Sequence, residues 1–336
     1  MQRFVPSSFR PAWWLPGPHL QTLGARWLRS KLEIPFHRER LELPDGDFID
    51  LDFAFGPLPT AGKRSPVVLV LHGLEGSARS GYAKELYRSL RNLEIDSVGL
   101  NFRSCSGKLN RLPRLYHSGE TEDLGWVLRL LAERYPERRR GVVGVSLGGN
   151  VLLKFLGESG ESVRTYVEAA VAISVPFDLS AGARSLLRPR GRLYAAFLLR
   201  KLRRKVEAKR RIMPPTVNVS KAMAARTFRD FDDAATAPLH GFASAEDYYR
   251  RSSSSRFLEE IRVPTFLLHS ADDPFLPPTC IPRPAVEANP HLVAAFTARG
   301  GHVGFVSGNS PFQPTFWAER EATRFLAGHL RALGDP

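Results

Sequence analysis

The chain has 336 residues, with 48 Lys and Arg against 34 Asp and Glu, a formal net charge of +14. At 43% apolar and 24% charged it can fill a sizeable core, which excludes global disorder, and its length fits about two units or one large α/β domain with an insertion. Only two cysteines, Cys105 and Cys280, are present; they make no disulfide framework and no metal spacing, so neither a metal nor another cofactor is expected, and free thiols fit a reducing, cytoplasmic setting.

The N-terminal MQRFVPSSFRPAWWLPG is broken by prolines and tryptophans where a signal peptide needs a continuous apolar stretch, and no apolar run approaches the roughly 20 residues of a membrane span. Residues 1–32 read as an irregular arm packed on the domain surface. Residues 38–55 alternate apolar and polar about Asp45-Gly46, a hairpin signal, and GPLPTAGKRSP follows as a linker. A βα rhythm then begins. Strands are predicted at 67–72, 95–102, 141–145 and 167–176, with helices over about 80–91, Gly119 to Tyr135 and 147–157. From Phe177 to about Arg256 the rhythm breaks into helical pattern with no convincing buried strand. It resumes with strands at 263–270 and 291–298 and a closing helix from about Phe312 to Leu333. Alternating strands and helices imply an α/β fold, a mostly parallel central sheet flanked by helices. The expected organisation is an arm and hairpin over 1–60, a core over 61–177 and 257–336, and a helical cap over 178–256 inserted between the two halves of the sheet.

The strongest chemical signal is Gly144-Val145-Ser146-Leu147-Gly148, a G-x-S-x-G between a strand and an apolar helix. Alone the pattern is weak. In a strand–turn–helix setting it presents Ser146 at the tip of a sharp turn, as a nucleophile elbow does. A hydroxyl needs a base to take its proton. Of nine histidines, His302 in RGGHVGF lies after the last strand and before the last helix, in the position that the order Ser, acid, His requires. The acid is expected after the preceding strand, where SADDPFLPP offers Asp272 and Asp273. Asp273, which opens the turn D-P-F-L-P, is preferred, and Asp178 is a lesser alternative. Its task is to orient the imidazole and stabilise the imidazolium. Two backbone N–H groups should face the developing oxyanion: that of Leu147, after the nucleophile, and that of Leu74 in the loop His72-Gly73-Leu74-Glu75-Gly76. His72 reads as a structural residue of that loop, Cys105 as a packed thiol, and His117 with Glu120 as a helix start. The residue pattern leaves open whether Arg103 shapes the site.

Several ordered segments resemble the YheT-like branch of the α/β-hydrolase superfamily: PGPHLQTL (16–23), LHGLEGS (71–77), NFRSCSGKLNRLPRLYHSGETEDL (101–124), GVSLGGN (144–150), TFRDFDDAATAPLHGFASAEDYY (227–249), ADDPF (271–275) and GGHVGF (300–305). The resemblance covers nearly the whole chain. It implies the α/β-hydrolase fold, Ser146, Asp273 and His302 as the triad, and hydrolysis of carboxylic esters, short-chain esters and monoacylglycerols among them. One departure is Ser104, where the branch leads one to expect glycine.

The leading expectation is a serine ester hydrolase working through an acyl-enzyme. An acyltransferase to an alcohol would use the same residues, and a non-catalytic binding protein on this scaffold is a third reading. The expected partner is a small ester or lipid substrate. Residues 184–211 carry twelve Lys and Arg and one acid, a net +11 of the +14. No nucleic-acid motif accompanies that charge, so nucleic acid is not expected. Within the cap, RLYAAFLLRKLRRKV mixes apolar and basic residues at helical spacing, which leaves peripheral contact with an anionic (inner) membrane open. Because Lys201 and Lys205 fall on the same face as Tyr194, Leu198, Leu202 and Val206, a solvated basic face is preferred.

Overall fold

The computed structural model describes residues 3–58 and 65–331. The boundary expected near residue 60 and the end of the closing helix expected at Leu333 lie outside the described residues.

The hairpin strands β1 (Phe36–Glu42) and β2 (Phe48–Ala54) are followed by β3 (Val67–Leu71), β4 (Asp96–Asn101), β5 (Arg140–Val145), β6 (Ala169–Ile173), β7 (Thr265–Ser270) and β8 (Leu292–Thr297). They form one sheet in the order β1-β2-β4-β3-β5-β6-β7-β8. The hairpin joins β4 antiparallel, and every pairing from β4 through β8 is parallel. Parallel strands need covered faces, which is why β3 reads VVLVL with no polar alternation. Its residues Leu69 and Leu71 face a core shared with Val151 and Leu152, whereas Val68 and Val70 face a second core with Leu86, Leu90 and Leu326.

The helices supply those partners. In chain order they are α1 (Pro18–Leu28), α2 (Gly81–Arg91), α3 (Glu122–Arg134) and α4 (Leu147–Ser159) before β6. Between β6 and β7 come α5 (Leu179–Ser185), α6 (Pro189–Ala208), α7 (Val219–Ala224), α8 (Phe228–Phe231), a π turn over Asp232–Thr236, α9 (Ala237–Leu239) and α10 (Ala245–Ser252). Asp178, Asn218, Thr227 and Ser244 cap four of these short helices with side-chain oxygens, closing their N-termini locally. A small core of Leu199, Val206, Ala222 and Phe231 lies within the insertion. The chain ends with α11 (Arg283–Ala288) and α12 (Trp317–Leu330).

Four expectations change. The arm is not irregular throughout, because α1 occupies Pro18–Leu28 with proline in its first turn, where a missing N–H is harmless. The strand expected over 167–176 is Ala169–Ile173; beyond it Ser174 takes φ 53° and the chain leaves the sheet. The helix expected from Gly119 starts at Glu122, because Ser118 is held off by the Asn150 amide and Gly119 packs on Ser252. The closing helix begins at Trp317, since Thr315–Phe316 pairs with Val306–Ser307 in a two-stranded ribbon after Pro314. Among the described residues no helix is long and apolar enough to cross a membrane.

Candidate active site

At the carboxyl end of β5 the backbone turns sharply into α4, and Ser146 at the turn has φ 53° and ψ −118°. A non-glycine residue in this region is strained by about 1–3 kcal/mol, held here by its surroundings. The Ser146 N–H donates to the Ile173 carbonyl at 2.8 Å, and its own carbonyl accepts from Asn150 N–H at 3.1 Å. Gly148 lets α4 press against β3, because a Cβ there would lie 2.6 Å from the Leu71 carbonyl oxygen. The strain thus has a structural cause: the helix sits too close to the sheet for a relaxed turn.

His302 reaches this serine from the loop after β8. Its Nε2 is 2.9 Å from Ser146 Oγ and its Nδ1 is 2.7 Å from Asp273 Oδ2. Asp273 is buried, and its Oδ1 accepts from the Phe275 N–H at 2.8 Å. Burial alone would raise this carboxyl, but the adjacent His302, then His269 and the Phe275 amide, hold it below the ordinary value. The neighbouring Asp272 points elsewhere. It accepts from Ser270 Oγ and from the Gly301 N–H, bracing the loop instead of the ring. Asp178 caps α5 through Ala181 N–H. Of the three carboxylates weighed, the structure therefore brings Asp273 to the imidazole.

Leu147 is the first residue of α4 and Leu74 lies in the turn after β3; both border the same cavity as Ser146 and His302. Around Leu74, the Gly73 N–H donates to Tyr82 OH at 2.8 Å and the Glu75 N–H to Tyr116 OH at 2.7 Å. Among the described residues the Leu74 N–H has no acceptor. The cavity, about 130 Å³, is lined on one side by these residues and Pro176, and on the other by Leu179, Leu186, Leu198, Leu202 and Phe228 of the insertion. Its lining is mostly apolar and includes Asp232 and Thr236 among its polar residues. Burial pushes Asp232 up to about 6, and it accepts from Tyr249 OH at 2.7 Å and Thr236 Oγ1 at 2.6 Å.

Sequence reasoning missed the supports of this site. Phe275 stacks on His302 with ring centroids 4.1 Å apart, and Tyr194 of α6 packs on Phe275. From α1, Thr22 Oγ1 accepts the His302 N–H at 2.9 Å, and Gln21 holds Val306 through both its amide atoms. Gly301 is required where α1 crosses the loop, since a Cβ there would lie 2.4 Å from the Pro18 carbonyl oxygen. The segment PGPHLQTL carried the signal, but nothing local to it says which loop it meets.

Glu75 forms a second support. Its carboxylate accepts from Lys205 Nζ at 2.7 Å and from Tyr116 OH at 2.8 Å, and its carbonyl accepts from Lys201 Nζ at 3.1 Å. The two lysines that interrupt the apolar face of α6 therefore turn inward. Cys105 is buried beside Lys205, and burial pushes its thiol up to about 11. Arg103 is buried away from the cavity, bidentate to Asp123 at 2.7 Å and paired with Asp45 and Asp47. Ser104 has φ 62°, which explains the expected glycine, and its hydroxyl bonds Asn110 on both sides. His117 lines the cavity, while Glu120 accepts from the Glu122 N–H at the start of α3.

A serine on a strand–helix turn, a histidine after the last strand and an eight-stranded mostly parallel sheet define an α/β hydrolase, and a sequence profile for the alpha/beta hydrolase fold matches residues 66–308. The chain belongs to the α/β-hydrolase family. It is 39% identical over 94% of its length to "Putative esterase YheT" of Escherichia coli (strain K12), covering 91% of that protein. It is 31% identical to "Phospholipase ABHD3" of Mus musculus over 93% of this chain and 76% of that one. Among solved structures, the Pyrococcus furiosus esterase Pf2001 shares the fold with a TM-score of 0.57 at 16% identity, over 98% of this chain and 100% of that one.

Proposed function

We propose that this protein is a serine-dependent carboxylic ester hydrolase whose substrates include lipid esters. The observation that carries the reading is the unbroken hydrogen-bond chain from Ser146 through His302 to Asp273, opening on a largely apolar cavity. Ser146 O–H donates to His302 Nε2, which takes the proton as Oγ bonds to the acyl carbon. Asp273 keeps the other ring nitrogen protonated and faces the imidazolium that forms. The oxyanion is met by the N–H groups of Leu74 and Leu147, each donor contributing roughly 3–4 kcal/mol to the transition state. His302 then protonates the departing alkoxide, and water releases the acyl group by the same steps in reverse. On this reading residues 61–177 and 257–336 are the catalytic body and 178–256 a cap whose leucines receive the acyl chain. The names of the esterase and phospholipase relatives support the reaction class.

A series of esters of increasing acyl length, with wild type and Ser146→Ala, tests it. The variant should lose hydrolysis by roughly 10⁴-fold or more and lose labelling by a fluorophosphonate. A variant as active as wild type on every ester would remove Ser146 from the reaction. Ester products formed with an added alcohol would instead point to acyl transfer.

A further inference from the structure

The exposed side of α1 and the exposed side of α6 lie next to each other. His19 stacks on Tyr194 and is hydrogen-bonded to its hydroxyl at 3.0 Å, and the Arg26 guanidinium sits over the Phe197 ring at 5.1 Å. On α1 the large apolar residues Leu20, Leu23 and Trp27 recur at helical spacing and face solvent, Trp27 being 63% exposed. On α6, Leu193 at 75% and Phe197 at 44% exposure continue the patch. The His19–Tyr194 and Arg26–Phe197 contacts bring these five large apolar side chains onto neighbouring helices, and a cluster of exposed apolar residues marks a candidate interaction surface.

Its frame is basic. Arg190, Arg200 and Arg204 share the stripe of Leu193 and Phe197, spaced by three and four residues, and all three are exposed. None has a carboxylate partner among the described residues, and no acid occurs in 18–31 or 189–206. Of the lysines that would have blurred this segregation, Lys205 is turned inward to the Glu75 carboxylate, and Lys201 bonds the Glu75 carbonyl while its Nζ lies 5.1 Å from the Phe197 ring, adding to the basic frame.

We propose that α1 and α6 together form a docking face for an anionic lipid surface. Apolar side chains would enter the headgroup boundary while the arginines meet lipid phosphates. A second copy of the chain fits poorly, because the same face on a partner offers these arginines no carboxylate. The face is also in packing contact with the site: Tyr194, on the same helix, packs on Phe275, which stacks on His302. The docking itself does not depend on the proposed catalysis.

Co-sedimentation of the full chain with vesicles of phosphatidylcholine, with and without phosphatidylglycerol, tests the proposal. Wild type should bind the anionic vesicles, and added salt should weaken the binding. Neutralising Arg190, Arg200 and Arg204 to Gln should lower the partition coefficient about fivefold per residue, and Leu23→Ser with Trp27→Ser should lower it as well. Hydrolysis of a short soluble ester should be unchanged in all of these. Equal binding to neutral vesicles, no binding by wild type, or binding that survives the triple substitution would overturn the proposal. So would a dimer in solution that Leu23→Ser and Trp27→Ser dissociate. Vesicle binding without any ester hydrolysis would uphold the docking face and sink the hydrolase reading.

Discussion

Two neighbouring aspartates, one proposed for catalysis and one not, differ only in which way their side chains point. Asp273 contacts the His302 ring, whereas Asp272 contacts the Gly301 amide that carries the loop. Asp273→Asn should lower kcat by about 10⁴-fold through the wrong imidazole tautomer, with KM little changed. Asp272→Asn should cost far less, and steady-state kinetics on one ester compares them. His72 supports the turn bearing Leu74 in one protonation state: Nδ1 donates to the Gly73 carbonyl and Nε2 accepts the Phe102 N–H. Burial pushes it down to about 3 from an ordinary 6.5. Protonation is thus easier in the unfolded chain, so the stability His72 contributes is complete above 6.5 and lost as pH falls towards 3. Each unit of that displacement is worth about 1.4 kcal/mol. Urea titrations across this window should show stability declining with acid, and His72→Gln should flatten the decline. The pairing of serine, acid and histidine was legible because each follows a recognisable strand end, but the choice between adjacent aspartates turns on which way a side chain points.

The elements differ in how openly the sequence declares them. Strands β3 and β5 are evident because burial on both faces demands an apolar run. Helix α1 is not, because it buries Gln21 and Ala25 and turns Leu20, Leu23 and Trp27 outward, with Leu28 alone of its leucines packed inward, the reverse of the expected amphipathic pattern. Helix α6 is legible as a helix, but its inward lysines look like errors of pattern until Glu75 is seen beneath them. That contact ties the insertion to the turn carrying Leu74, with Glu75 itself at φ 55°. If the Leu74 amide meets the oxyanion as proposed, Lys205→Met should lower kcat by about 10- to 100-fold while leaving KM for a short ester nearly unchanged, because a displaced donor affects the transition state more than binding. Equal effects on kcat and KM would count against this positioning role.

Across the whole molecule, distant segments converge on the His302 loop. Arg29, buried after α1, donates to the carbonyls of Val303 at 2.8 Å and Gly304 at 3.0 Å and pairs with Glu319 of α12 at 2.5 Å. Burial pushes Glu319 up to about 7 against the pull of Arg29. Arg29→Leu should destabilise the protein by about 3–5 kcal/mol, because it strands a buried acid. Arg29→Leu with Glu319→Leu should restore most of the stability but not the activity, as the loop still lacks its donors; thermal melts and kinetics on the three proteins separate the two effects. The net charge also gains a location, since the +11 of residues 184–211 divides between side chains held in contacts, such as Lys205, Lys209 and Arg203, and exposed arginines, such as Arg190, Arg200 and Arg204.

The sequence by itself determined the α/β class, the strand–turn–helix around Ser146 and the chain order of the residues proposed for catalysis. Those features rest on local spacing and on the apolar runs that a covered parallel sheet requires. Only the tertiary structure decided that Asp273 meets His302 across 29 residues, that His302 meets Ser146 across 156, and that α1 braces their loop. It also decided which cations of α6 point inward. Such choices follow from packing between segments remote in the chain, where burial and hydrogen-bond geometry select one partner from several of the same chemistry.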